Sequence, residues 1–311
     1  MEHTPDPSFL RYLSAKKMVD DRALHPRVWD LLACSLPRGQ ADRPLRVLEV
    51  GMGIGTMLER LLERGALTCA EYSGIDALED NVQEARRRLP LYAASLGYQA
   101  TAPDPQGRLT LQQTDRVISV GFEAIDLAGF LARESGRRRW DLLTANAFLD
   151  LIDVPSTLPS LLSLLVPGGL FYFTMNFDGA TVFEPEVDPG LDRQIARLYH
   201  QTMDQRLVHG RRSGDSHTGR HLFAQLVSAG ATILDIGASD WIIFPRSGTY
   251  QHDEEYFLEF ILSTIHSALK DHPELDERQF EPWIAMRREQ IDRGELLYLA
   301  HQLDYLGRVE T

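Results

Sequence analysis

With 311 residues the chain is longer than one typical domain and shorter than three, and its 43% apolar and 25% charged residues are enough to bury a sizeable core. The formal net charge of −13 repels phosphate backbones and anionic membranes, which argues against a nucleic-acid or membrane partner. The two cysteines, Cys34 and Cys69, lack metal-like spacing and cannot build a disulfide framework, so a reducing cytoplasm is expected.

The opening MEHTPDPSFL has no basic stretch followed by an apolar one, so no signal peptide is expected. Residues 8–36 read as helical, with Leu10, Leu13, Met18, Leu24, Val28, Leu31 and Leu32 near helical spacing and Pro26 as an interruption. After a loop at 37–44, LRVLEV is a short buried strand and MLERLLERGA a helix stopped by Gly65. EYSGID (71–76) is a second strand, and residues 79–97 form a second helix. Residues 97–116 are a turn-rich insertion. Residues 109–127 suit a hairpin turning near Asp115 and leading into a third buried strand.

A short helix and the basic run RESGRRRW (133–140) follow, the latter reading as a solvated loop between helix and strand. WDLLTANAFLD (140–150) is a fourth strand with its exit loop, and LFYFTMNF (170–177) a fifth. The apolar stretch 142–177 is broken by Asp150, Asp153, Pro155, Pro159, Gly168 and Gly169, so it fits no membrane span. Residues 178–190 read as a long connection, 191–208 and 217–230 as helices, and 231–245 as a sixth strand with a bend. Two acidic helical segments near 253–270 and 277–293 precede a closing strand at 295–309. Alternating strands and helices with short links predict a doubly wound, mostly parallel sheet with ligands at the carboxyl ends of its strands.

The stretch RVLEVGMGIGTM carries the chemistry. A dinucleotide fingerprint wants G-x-G-x-x-G, but the third glycine arrives early, at Gly55, and Thr56 takes the expected place. A phosphate-gripping P-loop is absent. Glu49 stands just ahead of Gly51 and Gly53, where a pyrophosphate would be repelled and a cationic ligand favoured.

These residues resemble motif I of the class I S-adenosylmethionine-dependent methyltransferases. YSGIDALEDNVQEAR is similar to their motif II, SVGFEAIDL to the strand and loop that cover the adenine, WDLLTANAFLDLI to motif IV, and LLSLLVPGGLFYFTM to the segment after it. The resemblance runs in order from about residue 45 to 177. It implies a seven-stranded Rossmann-like sheet with an N-terminal helical lid (1–40) and a methyltransferase domain (41–311). Helical insertions at about 178–216 and 246–294 would cap the acceptor.

It also implies S-adenosylmethionine as the cofactor. Asp76 would bind the ribose beside Ala77, and Glu123 with Ala124 would lie by the adenine. Asn146 and Phe148 would line the methyl-transfer path. Motif IV lacks the paired prolines common to enzymes that methylate nucleic-acid bases or glutamine, which argues against those acceptors; the full motif series, the two lid-forming insertions and the acidic surface favour a small-molecule acceptor methylated at oxygen or nitrogen.

Candidate acceptor contacts are Tyr12, Lys17 and Arg22 in the lid, Asn176 and Asp178 after the fifth strand, and Trp241 and Tyr250 beyond it. Candidate bases are His200, one helical turn from Asp204, and His217 with Asp215 near Arg220; Ser216 or Thr218 alternatively caps the helix there. His217 and His221 are four apart, but no H-E-x-x-H motif or third ligand accompanies them, so no metal is expected. Three alternatives stay open: a protein or peptide methyltransferase recruiting a basic partner, an aminopropyl transferase using Asp150 and Asp153, and a cofactor-binding module without catalysis.

Overall fold

The computed structural model describes residues 7–137, 140–208 and 210–310; Arg138 and Arg139 of the basic run and the first six residues lie outside them. The N-terminal helical segment is two helices, α1 (Pro7–Ala23) and α2 (Pro26–Ser35). Pro26 sits at the first position of α2, where its missing N–H costs nothing and its fixed φ starts the new helix.

Then come β1 (Leu45–Val50), α3 (Thr56–Glu63), β2 (Cys69–Asp76), α4 (Glu79–Ser95), β3 (Gln99–Ala100), β4 (Leu109–Gln113), β5 (Arg116–Ala124), α5 (Leu127–Glu134) and β6 (Trp140–Asn146). After them lie α6 (Val154–Leu162), β7 (Leu165–Glu184), α7 (Pro189–Asp204), β8 (Leu207–Val208), β9 (Arg211–Arg212) and α8 (Thr218–Ser228). The chain closes with β10 (Ala231–Ala238), β11 (Trp241–Ile243), α9 (Glu254–Leu269), α10 (Glu277–Asp292) and β12 (Leu297–Val309). Asp126, Asp153, Asp188 and Asp276 cap α5, α6, α7 and α10 by accepting from backbone N–H groups of the first turn.

The main sheet runs β10-β12-β7-β6-β1-β2-β5-β4-β3, with β11 beside β12. β1 pairs in parallel with both β2 and β6, and the order departs in opposite directions from there. That is the switch point where a crevice opens at the strand ends. The seven expected strands are present as β1, β2, β5, β6, β7, β10 and β12. Three more join them: the segment before the third strand pairs as β3 and β4, and the bend after Ala238 releases β11 to pair with β12.

Residues 178–184, expected as a connection, instead prolong β7, pairing with the first residues of β12. Alternation along β1 sends fully buried Val47 and Leu48 to opposite faces, one packed under α2, α3 and α4, the other under α6 and α8. A third apolar cluster lies beyond the strand ends, where α1, α7, α9 and α10 close around the far part of β7, β11 and the start of β12. Among the described residues, no helix is long and apolar enough to cross a membrane.

Candidate active site

β1 delivers the chain to a loop with Gly51, Gly53 and Gly55 all at positive φ (+63°, +53° and +83°), a backbone that side-chain-bearing residues rarely adopt. At Gly51 a Cβ would land inside the ring of Phe148, so glycine lets the loop after β6 close against the loop after β1. The Gly53 N–H donates to Oδ2 of Asp76 at 2.8 Å, while Oδ1 accepts from the Leu78 N–H at 2.9 Å and the Asn81 amide at 3.1 Å. Burial pushes the Asp76 carboxyl up, opposed by these three hydrogen bonds. Glu49 is buried and accepts from the Tyr72 hydroxyl; its burial raises its pKa well above the usual range despite nearby Arg60. Asn146 accepts from the Thr174 hydroxyl at 2.6 Å.

Glu49, Gly51, Gly53, Asp76, Leu78, Asn81, Asn146 and Phe148 line one end of a cavity of about 520 Å³. From Glu49 to Thr56 the wall carries no positive charge, and Gly53 faces the space with only Leu13 nearby. Such a cradle, with buried carboxylates and exposed backbone, fits the ribose and sulfonium amino acid of S-adenosylmethionine and does not suit a pyrophosphate. Ile125 and Leu127 supply apolar wall near Leu78, and the buried Oδ1 of Asn81 has no protein partner.

The other end of the cavity is aromatic. Tyr12 of α1 stacks on Phe260 of α9, centroids 4.0 Å apart, and Phe177, Tyr199, Trp241 and Tyr298 complete the wall. Lys16 and Asp20, a helical turn apart, meet at 2.5 Å, and Asp20 also accepts from the Trp241 indole at 3.0 Å. Burial lowers the Lys16 ammonium below its usual pKa, with Asp20 pulling the other way.

The cavity brings together Glu49, Gly51, Gly53, Asp76, Ala77, Asn146, Phe148, Tyr12 and Trp241. Gly55 and Ala124 do not line it. Glu123, expected over the adenine, turns away from it and forms a two-pronged ion pair with Arg133, which holds its carboxyl below the usual range. Lys17 and Arg22 point elsewhere, to Asp21 and Glu254. The true lining residues of α1 are Phe9, Tyr12, Leu13, Lys16 and Asp20, one face at helical spacing; Lys17 lies a step around the helix.

Asn176 is fully buried and donates to the carbonyls of Phe173 and Leu303 at 3.0 and 2.8 Å. Asp178 is held by Arg220, and the Tyr250 hydroxyl exchanges hydrogen bonds with the backbone of Leu296. None of these three reaches the cavity: β7 continues as a strand whose alternation turns Asn176 and Asp178 into packing positions, and Tyr250, just before α9, is tied to Leu296.

His200 lies behind the wall, bonded through Nε2 to the Thr181 hydroxyl at 2.9 Å; burial lowers its pKa to about 4. Asp215 pairs with His221 at 2.6 Å, while His217 contacts the Ser216 hydroxyl at 2.9 Å. Asp204, Asp215 and His217 offer possible metal-ligand atoms within 4.8 Å of one another, a trio that spacing alone did not suggest. Several of those atoms are already engaged, Asp204 by the Ser216 N–H and Asp215 by the His217 N–H and His221.

A family described as a methyltransferase domain matches residues 22–236, more than half of the chain. The chain belongs to this methyltransferase family. It is an S-adenosylmethionine-dependent enzyme of the class I fold. Among solved structures it is similar to an S-adenosylmethionine-dependent methyltransferase from Methanosarcina mazei, at 12% identity over 92% of this chain and 98% of that one, with a TM-score of 0.45. It is also similar to geranyl diphosphate C-methyltransferase from Streptomyces coelicolor, at 10% identity over 90% of this chain and 74% of that one, with a TM-score of 0.42. No curated protein matches the sequence.

Proposed function

We propose that this methyltransferase acts on the oxygen or nitrogen of a small-molecule acceptor bound in the aromatic end of the cavity. The observation that carries this is the continuity of one cavity from Gly51 and Asp76 to Tyr12, Trp241 and Phe260, at a volume usual for small-molecule sites. S-adenosylmethionine, when bound, supplies an activated methyl group. The chain's own residues bind it, orient the acceptor and exclude water, which for a displacement of this kind accounts for much of the rate.

Gly51, Gly53, Asp76, Ala77, Asn146 and Phe148 would hold the cofactor, with Glu49 lining the same wall. The N-terminal helices (1–40) would act as a lid over a methyltransferase domain (41–311). The segments around 178–216 and 246–294 would complete the cap through α7 and α9. The stacked pair Tyr12 and Phe260 in the cavity wall favours a flat small molecule over a protein segment. The acidic surface disfavours nucleic acid, and the free cysteines Cys34 and Cys69 suit the cytoplasm.

The test is calorimetric titration with S-adenosylmethionine, followed by product analysis with small phenols, alcohols and amines. Binding in the roughly micromolar-to-millimolar range of enzyme substrates and methylation of a small molecule are expected. Methylation confined to protein substrates would overturn the proposal.

A further inference from the structure

The aromatic end of the cavity contains polar groups that the protein itself leaves unanswered. Oδ1 of Asp150, on the turn after Phe148, is buried without a hydrogen-bond partner. So is Oε1 of Gln302, on β12. Both residues line the cavity, and both atoms are acceptors. A buried acceptor without a donor is costly, so a ligand that brings an O–H or N–H there binds more tightly.

Arg206, just past α7, lines the same end. Its charge reaches Asp150, but the two side chains form no ion pair within contact distance, so the carboxylate and the guanidinium flank a gap. A protonated amine would satisfy Asp150 but would meet the positive charges of Arg206 and Lys16. A carboxylate would satisfy Arg206 but would face Asp150. A hydroxyl answers both, donating to one and accepting from the other. The surrounding rings, Tyr12, Phe177, Tyr199, Trp241, Phe260 and Tyr298, favour a flat aromatic body.

We infer that the acceptor carries a phenol-type hydroxyl seated between Asp150 and Arg206, within reach of Gln302; this rests on the small-acceptor reading above and narrows it to oxygen. In the reaction the O–H bond breaks, the proton passes to Oδ1 of Asp150, and the electron pair stays on oxygen, stabilised by Arg206. That pair forms the new O–C bond as the sulfonium S–C bond breaks and returns its pair to sulfur. Burial raises the Asp150 carboxyl above its ordinary value, which strengthens it as a proton acceptor.

The experiment uses three ring-matched probes on the full chain saturated with S-adenosylhomocysteine: 1-naphthol, 1-methoxynaphthalene and 1-naphthylmethylamine. Calorimetry is expected to show the naphthol binding about ten-fold more tightly than the other two, the weight of one hydrogen bond to a charged group. Asp150→Asn and Arg206→Met should each erase that preference while leaving methoxynaphthalene and S-adenosylhomocysteine affinities within about two-fold, which also shows that the variants fold. Binding of the ether or the amine as tightly as the naphthol overturns this inference alone. Failure of all three probes to bind the loaded protein overturns the small-acceptor reading with it.

Discussion

Met175 donates its backbone N–H to Oδ1 of Asp304 at 2.8 Å, and it does so from a left-handed backbone at φ +55°. A non-glycine residue holds that conformation only where its surroundings insist on it. Asp304 is fully buried and also accepts from the His25 N–H at 2.9 Å, so one carboxylate pins the bulge of β7 that carries Met175 into the cavity and the start of α2. Burial raises its pKa from 3.8 to about 6, against those hydrogen bonds. Because the folded value is the higher one, ionisation costs the fold up to about 3 kcal/mol above pH 6, and that cost fades as pH falls towards 4. Asp304→Asn cannot titrate. The stability of the wild type relative to this variant should therefore rise between pH 7.5 and 4.5, read from denaturant midpoints; a constant difference would show that Asp304 is not perturbed.

Gly51 makes a second prediction. Gly51→Ala places a Cβ at positive φ, costing about 1–2 kcal/mol, and drives it into the Phe148 ring. Gly55→Ala bears the same backbone penalty, but its Cβ would meet the Ala85 Cβ at 3.5 Å and the Phe122 Cζ at 3.7 Å, both ordinary contacts. The Gly51 variant should lose more melting temperature and more S-adenosylmethionine affinity than the Gly55 variant. Phe148→Ala should restore part of the difference; independent, additive effects in the double variant would disprove the contact between the two loops.

Much of the fold was legible because it rests on local pattern. Apolar runs mark β1, β2 and β6, Gly51 ends β1, and Pro26 marks the break between α1 and α2. The glycine loop and Asp76 were legible for the same reason, since their spacing is set by one strand–turn–helix unit and its neighbour. The aromatic end of the cavity was not, because it gathers side chains from α1, α7, α9, β7, β11 and β12. The phase of α1 could have been read from sequence: Phe9, Tyr12, Leu13, Lys16 and Asp20 share a face, and Lys17 does not. The continuation of β7 through 178–184 could not, since it depends on pairing with β12 more than a hundred residues later.

Glu123 separates motif from geometry. Its carboxylate is committed to Arg133 on a half-exposed surface, an interaction worth about 1 kcal/mol or less. Glu123→Gln should leave S-adenosylmethionine affinity within about two-fold. Asp76→Ala frees the Gly53 and Leu78 N–H groups and the Asn81 amide together, and should weaken binding by about ten-fold or more. Calorimetry on the two variants decides it. A large loss at Glu123 would mean that the carboxylate leaves Arg133 for the adenine when the cofactor binds.

Arg60 ties the N-terminal helix to the sheet domain. Its side chain is 1% exposed, forms an ion pair with Asp21, and lies 3.4 Å from Asp20, the residue that holds Lys16 and Trp241 in the cavity wall. Removing one partner of a buried ion group leaves uncompensated charge and costs about 3–5 kcal/mol. Arg60→Met should lose stability on that scale at neutral pH and shift the Trp241 fluorescence, while Arg60→Lys should recover part of both. Burial would raise the Asp21 carboxyl, but Arg60 and Lys17 outweigh it and hold its pKa below 3.8. Its stabilisation is therefore present above that value and lost as pH falls through the lower folded one. The gap between wild type and Arg60→Met should accordingly narrow in acid. Unchanged fluorescence in Arg60→Met would show that Asp20 keeps Lys16 and Trp241 in place without the guanidinium.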